Sequence, residues 1–267
     1  MQDPEHGPKM QVEHTHTRCW VCVLSCLLLA CLYVGSLYVW RSSLPRDHPS
    51  LIRRRCASVL LVSALSPAVV KAWIATLWEL MGVRLEGLVP AAVLPLLLTM
   101  VGILSRPPGS FCDGQPQRLH RGAADAVWLR NQVVAPVTEE LVFRGAMLPM
   151  LVPCMGPTAA IFMAPLFFGV AHFHHIIEQR RLHEDSMSGI FLVSGHVVGP
   201  VLCHSFCNSQ GLPDISSALQ HPQRCALLFS YLMGLLLFLV LLFRVTDPLF
   251  YGEIPVYRLA GPAASAC

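Results

Sequence analysis

Glu139, Glu140 and Arg144 lie in one otherwise apolar run, Thr138-Glu139-Glu140-Leu141-Val142-Phe143-Arg144. A carboxylate or guanidinium at the centre of a bilayer costs about 2.5 to 3.5 kcal/mol each. A chain that keeps three such groups pairs them, or gathers them around a wet interior. Two later apolar stretches carry polar residues in their middles: His172, four after Phe168, and His204, four before Asn208. Residues four apart share a helix face, so the Phe168 ring accompanies the His172 imidazole, and His204 and Asn208 present their polar groups together. Consecutive residues such as Glu139 and Glu140 diverge by about 100° and serve different neighbours. Glu140 precedes Arg144 by four, the favourable order for a helical ion pair, which gives Glu140 the task of neutralising Arg144. Glu139 has no such partner in its own helix and is left as the candidate general base.

The chemistry these residues suit is hydrolysis of an amide. Glu139 and His172 would activate a water, and His204 with Asn208 would supply two hydrogen-bond donors to the oxyanion that forms. Alternatives stand beside each assignment. Both glutamates could simply bond within a helix bundle; His172 could be a packing histidine; His204 and Asn208 could join helices as polar glue. His174 and His175, near the end of their stretch, suit an interfacial role. Glu139, His172 and His204 could also hold a zinc ion with an open position. The chain has no His-Glu-x-x-His, no Gly-x-Ser-x-Gly, and no second pair to match Cys19-x-x-Cys22.

The elements that must position these groups are membrane helices. The 267 residues are 54% hydrophobic and 13% charged, about half the charge of a soluble domain. A net charge of +3, without a basic patch interleaved with aromatics, gives no reason to expect nucleic acid. The eleven cysteines fall mostly inside apolar runs and read as small packing residues, not a disulfide framework. Stretches 19–40, 57–83, 87–104, 127–151, 158–177, 190–208 and 225–243 approach the roughly 17 to 25 residues that a span needs. The expectation is an all-α, polytopic bundle of about seven spans. It comprises a polar tail at 1–18, a membrane-embedded domain at 19–248 and a short tail at 249–267. The apolar stretch after the N-terminal tail is too long for a signal peptide. Arginines concentrate at Arg41, Arg46, Arg53, Arg54 and Arg55, which predicts a cytosolic first loop and a luminal N-terminus.

Taken in order, Glu139-Glu140-x-x-x-Arg144, Phe168-x-x-x-His172 and His204-x-x-x-Asn208 resemble the motifs of the CAAX-processing and bacteriocin-processing membrane proteases. The closest likeness is to the type II CAAX prenyl endopeptidases. The flanking sequence shares the resemblance, including Tyr33 to Trp40, Trp128 to Gln132 and His172 to Gln179. It implies a multi-pass enzyme of the endoplasmic reticulum membrane that removes the last three residues of prenylated CaaX proteins such as Ras-type small GTPases. It further implies catalysis by Glu139, His172, His204 and Asn208, a structural or substrate-orienting part for Glu140 and Arg144, and no required metal or other cofactor. One in-membrane cation, Arg144 or Arg130, would attract the substrate's free carboxylate. The chain ends in cysteine and is not itself a C-a-a-X substrate.

Family members usually carry a further span between the second and third motifs. Here Leu192 to His196 reads as the two ends of a missing helix, which would turn the His204–Asn208 helix over unless it re-enters the membrane. The rival expectation is therefore a catalytically inactive variant acting as a membrane scaffold or binding module. A transporter using Glu139 and Arg144 as a relay lacks the paired half-repeats of many such folds.

Overall fold

The structure is a computed structural model describing residues 7–45, 47–71, 77–104, 125–171, 191–192, 194–210, 219–245 and 250–251. Among these residues every regular element is helical. Helix α1 is Gly7–Tyr38, α2 Pro49–Lys71, α3 Leu77–Leu80 and α4 Leu88–Leu104. A long helical run follows, made of α5 (Ala126–Leu129), a π-helical turn π1 (Arg130–Val134), α6 (Ala135–Glu140), a second π turn π2 (Leu141–Ala146) and α7 (Met147–Ala171). Helices α8 (Val198–Gln210) and α9 (Arg224–Val245) complete the bundle.

Three stretches among the described residues are long and apolar enough to cross a membrane: Cys19–Tyr38, Ala126–Phe167 and Arg224–Leu242; Leu88–Met100 is a shorter apolar helix. They differ in what surrounds them. Only 11% of the Arg224–Leu242 window is buried within the protein, against 39% of the Ala126–Phe167 window. The first turns leucines, Phe229 and Val240 outward at the edge of the bundle; the second is its centre. At 42 residues that central run would extend to about 63 Å as a straight helix, twice the roughly 30 Å hydrocarbon layer, so it must bend. It bends at Gly156, where φ 78 and ψ 164 leave the helix, between Pro153 and Pro157.

Around this run α1 packs on α7 and α2, while α8 lies between α4 and the α6–π1 segment. The core joins Leu29 and Tyr33 of α1 to Phe143, Met147, Leu148 and Leu151 of the central run, with the Tyr33 and Phe143 rings edge to face at 5.5 Å. The Tyr33 hydroxyl donates to Thr138 Oγ1 at 2.8 Å, because Thr138 spends its own proton on the Val134 carbonyl at 2.7 Å.

A clasp fixes the start of α8. Gly82 accepts from the Val197 amide at 3.2 Å, His196 Nε2 donates to the Glu86 carbonyl at 2.6 Å, and Arg84 Nη2 donates to the carbonyls of Ser194 at 3.1 Å and Tyr251 at 2.9 Å. Gly82 has φ +77, and a Cβ there would sit 2.7 Å from Val197 N and 2.8 Å from the Phe191 ring. A Cβ on Gly156 would meet nothing within 4 Å, so only backbone strain opposes it. Gly156→Ala should therefore cost about 1 to 3 kcal/mol, and Gly82→Ala distinctly more. Thermal unfolding of the two variants in detergent checks the order.

Candidate active site

The site begins with a proline. Pro136 has no amide proton, so inside a helix it cannot serve the carbonyl four residues back, Gln132, nor, across a π turn, the one five back, Asn131. A carbonyl left unpaired in a bilayer costs several kcal/mol, and neighbouring helices commonly supply the missing donor. Helix α8 does so here. Ser205 Oγ donates to Gln132 O at 2.8 Å, and Asn208 Nδ2 donates to Asn131 O at 2.9 Å. The same side of α8 carries His204, and these two bonds hold it against the glutamates.

His204 Nδ1 lies 2.7 Å from Glu140 Oε1, and Arg144 Nη1 donates to that same oxygen at 3.2 Å. Glu140 is fully buried and Arg144 is 1% exposed. Beside Arg144, Glu140 is a carboxylate, and a carboxylate only accepts, so Nδ1 is the donor. That assignment fixes the ring: Nε2 of a neutral His204 is an acceptor, and it donates only when the imidazole is protonated. Nε2 faces Glu139, 3.8 Å from Oε2, and the Glu139 side chain is 14% exposed. Two acidic side chains thus flank one imidazole. The single N–H of a neutral His204, which the sequence reading gave to an oxyanion, is already committed to Glu140.

Of the four residues assigned to catalysis from sequence, the structure brings Glu139 and His204 together. It sets Asn208 one turn further along α8, with one amide proton on Asn131. His172 lies outside the described residues, as do His174 and His175. Glu140 touches both Arg144 and His204, a second contact that spacing within one helix cannot reveal. Helix α8 meets the central run through its His204 side, so the two acidic residues and this imidazole share one side of the bundle. Arg130 stands apart from them, its Nε on Asn131 Oδ1 at 2.9 Å and its Nη1 on Asp47 at 3.0 Å. Sequence reasoning missed Ser205, Asn131 and Gln132. The available signal was Pro136 inside an apolar run, which announces carbonyls in need of donors from elsewhere. Among the described residues no three His, Cys, Asp or Glu side chains converge as a metal site.

Comparison with known proteins gives this geometry its context. The family described as Type II CAAX prenyl endopeptidase Rce1-like matches residues 123–210, from just before α5 to the end of α8. CAAX prenyl protease 2 of Rattus norvegicus is 54% identical over 261 residues, covering 90% of this chain and 85% of that protein. The Homo sapiens protein of the same name is 52% identical, over 89% of this chain and 85% of its own length. The chain belongs to the type II CAAX prenyl endopeptidase family. Likeness extends to CAAX prenyl protease 2 of Arabidopsis thaliana, 30% identical over 86% of this chain. No solved structure matches. The matched region holds every residue named in this site except Asp47, the partner of Arg130.

Removing one partner of a buried charge pair strands the other and costs about 3 to 5 kcal/mol. Glu140→Ala is therefore expected to lower stability in detergent by about that amount. Glu140→Ala with Arg144→Met should recover most of the loss, since the stranded cation goes too. Thermal unfolding of the two variants tests the coupling.

Proposed function

We propose that this chain is an intramembrane endopeptidase that removes the C-terminal tripeptide from prenylated CaaX proteins, Ras-type small GTPases among them, in the endoplasmic reticulum membrane. The observation that carries the mechanism is the meeting of Glu139 with His204 Nε2 beside a buried Glu140–Arg144 pair. The family relationship carries the activity. Glu139, helped by His172, takes a proton from water as the water oxygen bonds to the scissile carbonyl carbon. The carbonyl oxygen becomes an oxyanion and accepts from the protonated His204 Nε2 and from Asn208. As the C–N bond breaks, the proton held by Glu139 passes to the departing amine. The reaction needs no oxidant, and in this reading no metal.

Glu140 then has two duties, compensating Arg144 and keeping His204 oriented with Nε2 toward the reacting carbonyl. A prenyl chain gains about 0.8 kcal/mol per buried CH₂ from lipid, so the substrate stays tethered where α8 and the central run meet. About seven spans, in a domain over 19–248 between tails at 1–18 and 249–267, accommodate such a site. The first loop, with Arg41, Arg53 and Arg54, faces the cytosol, where the substrate protein resides.

Membranes carrying the full chain should cleave a farnesylated C-a-a-X peptide. Glu139→Gln should lower kcat by about 10² to 10⁴, and Asn208→Ala by about 10² to 10³. Activity that survives a strong chelator would exclude the zinc alternative; loss to the chelator, restored by zinc, would replace this mechanism with a metal-bound water.

A further inference from the structure

An enzyme that cuts three residues from a chain end must sense that end, and a cation suits the free carboxylate found there. Two arginines of the central run invite comparison. Arg144 is 1% exposed with Nη1 on the buried Glu140; a substrate carboxylate binding there would have to displace a buried partner and leave it uncompensated. Arg130 is differently placed. Its side chain is 24% exposed, and its partner Asp47 is 60% exposed, an ion pair in enough water to contribute little and exchange readily. Its Nε bond to Asn131 Oδ1 holds the guanidinium plane in position. A fixed guanidinium accepts a carboxylate through two parallel N–H bonds, which an ammonium cannot reproduce.

One residue links the two groups. Asn131 binds Arg130 through its side chain at 2.9 Å and Asn208 through its backbone carbonyl at 2.9 Å. Laid end to end, two such bonds and the breadth of one asparagine reach at most about 10 Å between the amide of Asn208 and the guanidinium. An extended chain advances about 3.3 to 3.6 Å per residue, so three residues cover about the same distance.

We propose that Arg130 binds the free C-terminal carboxylate of the substrate and, with Asn208 at the scissile carbonyl, sets the cut at three residues from the end. Asp47 occupies the guanidinium between turnovers and gives way to the incoming carboxylate. This rests on the endopeptidase reading above.

The test uses membranes carrying the full chain and two farnesylated peptides of one sequence, one ending in a free acid and one in a primary amide. The unaltered chain should prefer the acid by about 10- to 100-fold in kcat/KM, mostly through KM. Arg130→Gln should bring that ratio toward one, Arg130→Lys should restore only part of it, and Asp47→Asn should raise it by lowering KM for the acid. An acid-to-amide ratio unchanged in Arg130→Gln and Asp47→Asn overturns the proposal. If the unaltered chain cuts both peptides equally, Arg130 loses this role while the endopeptidase reading stands. If it cuts neither, both fall.

Discussion

A carbonyl deprived of its amide partner in a medium without water must find another donor, and this site grows from that constraint. Pro136 and the π turn before it together leave two neighbouring carbonyls without a helical donor. The π turn at Arg130–Val134 widens the helix there, and Ser205 and Asn208 supply the donors that the proline cannot. The bonds are individually ordinary, but their alternatives are empty, because lipid offers nothing in exchange. Helix α8 is therefore held at one rotation and one height against the central run, and His204, next to one anchor and one turn before the other, arrives at Glu140 as a consequence. A defect in one helix becomes the docking code for another.

Charge completes what the backbone begins. Glu140 binds the guanidinium of its own helix and the imidazole of α8 through one oxygen, so the buried cation, the buried anion and the histidine form one chain of contacts. Such a chain is costly to assemble and costlier to leave half made. It also selects a tautomer, since an acceptor at Nδ1 decides what Nε2 can offer to Glu139 and to anything bound between them.

Much of this was legible in the residues. The spacing of Glu140 and Arg144, and of His204 and Asn208, follows helical geometry that a sequence displays directly. The break between the stretches at 127–151 and 158–177 was visible in Pro153, Gly156 and Pro157. What escaped were contacts between segments far apart in the chain. Nothing local says that His204 will bond to Glu140, or that Asn208 will spend an amide proton on Asn131, because both depend on how α8 rotates against another helix. Among the described residues only three stretches are long and apolar enough to cross a membrane, where sequence suggested about seven. Parts of the stretches at 57–83, 158–177 and 190–208 lie outside the described residues.

The Arg84 clasp has a mechanical meaning. One guanidinium ties the turn that launches α8 to Tyr251, beyond the last helix of the bundle. The histidine-bearing helix thus hangs between two hitches, one at its foot made by a residue from early in the chain and one midway along its length made by a proline's neighbours. Loss of the Arg84–Tyr251 bond would be transmitted to the imidazole as a change in pitch. Tyr251, far along the chain from His204, thereby acts as a guy-line for the reacting centre.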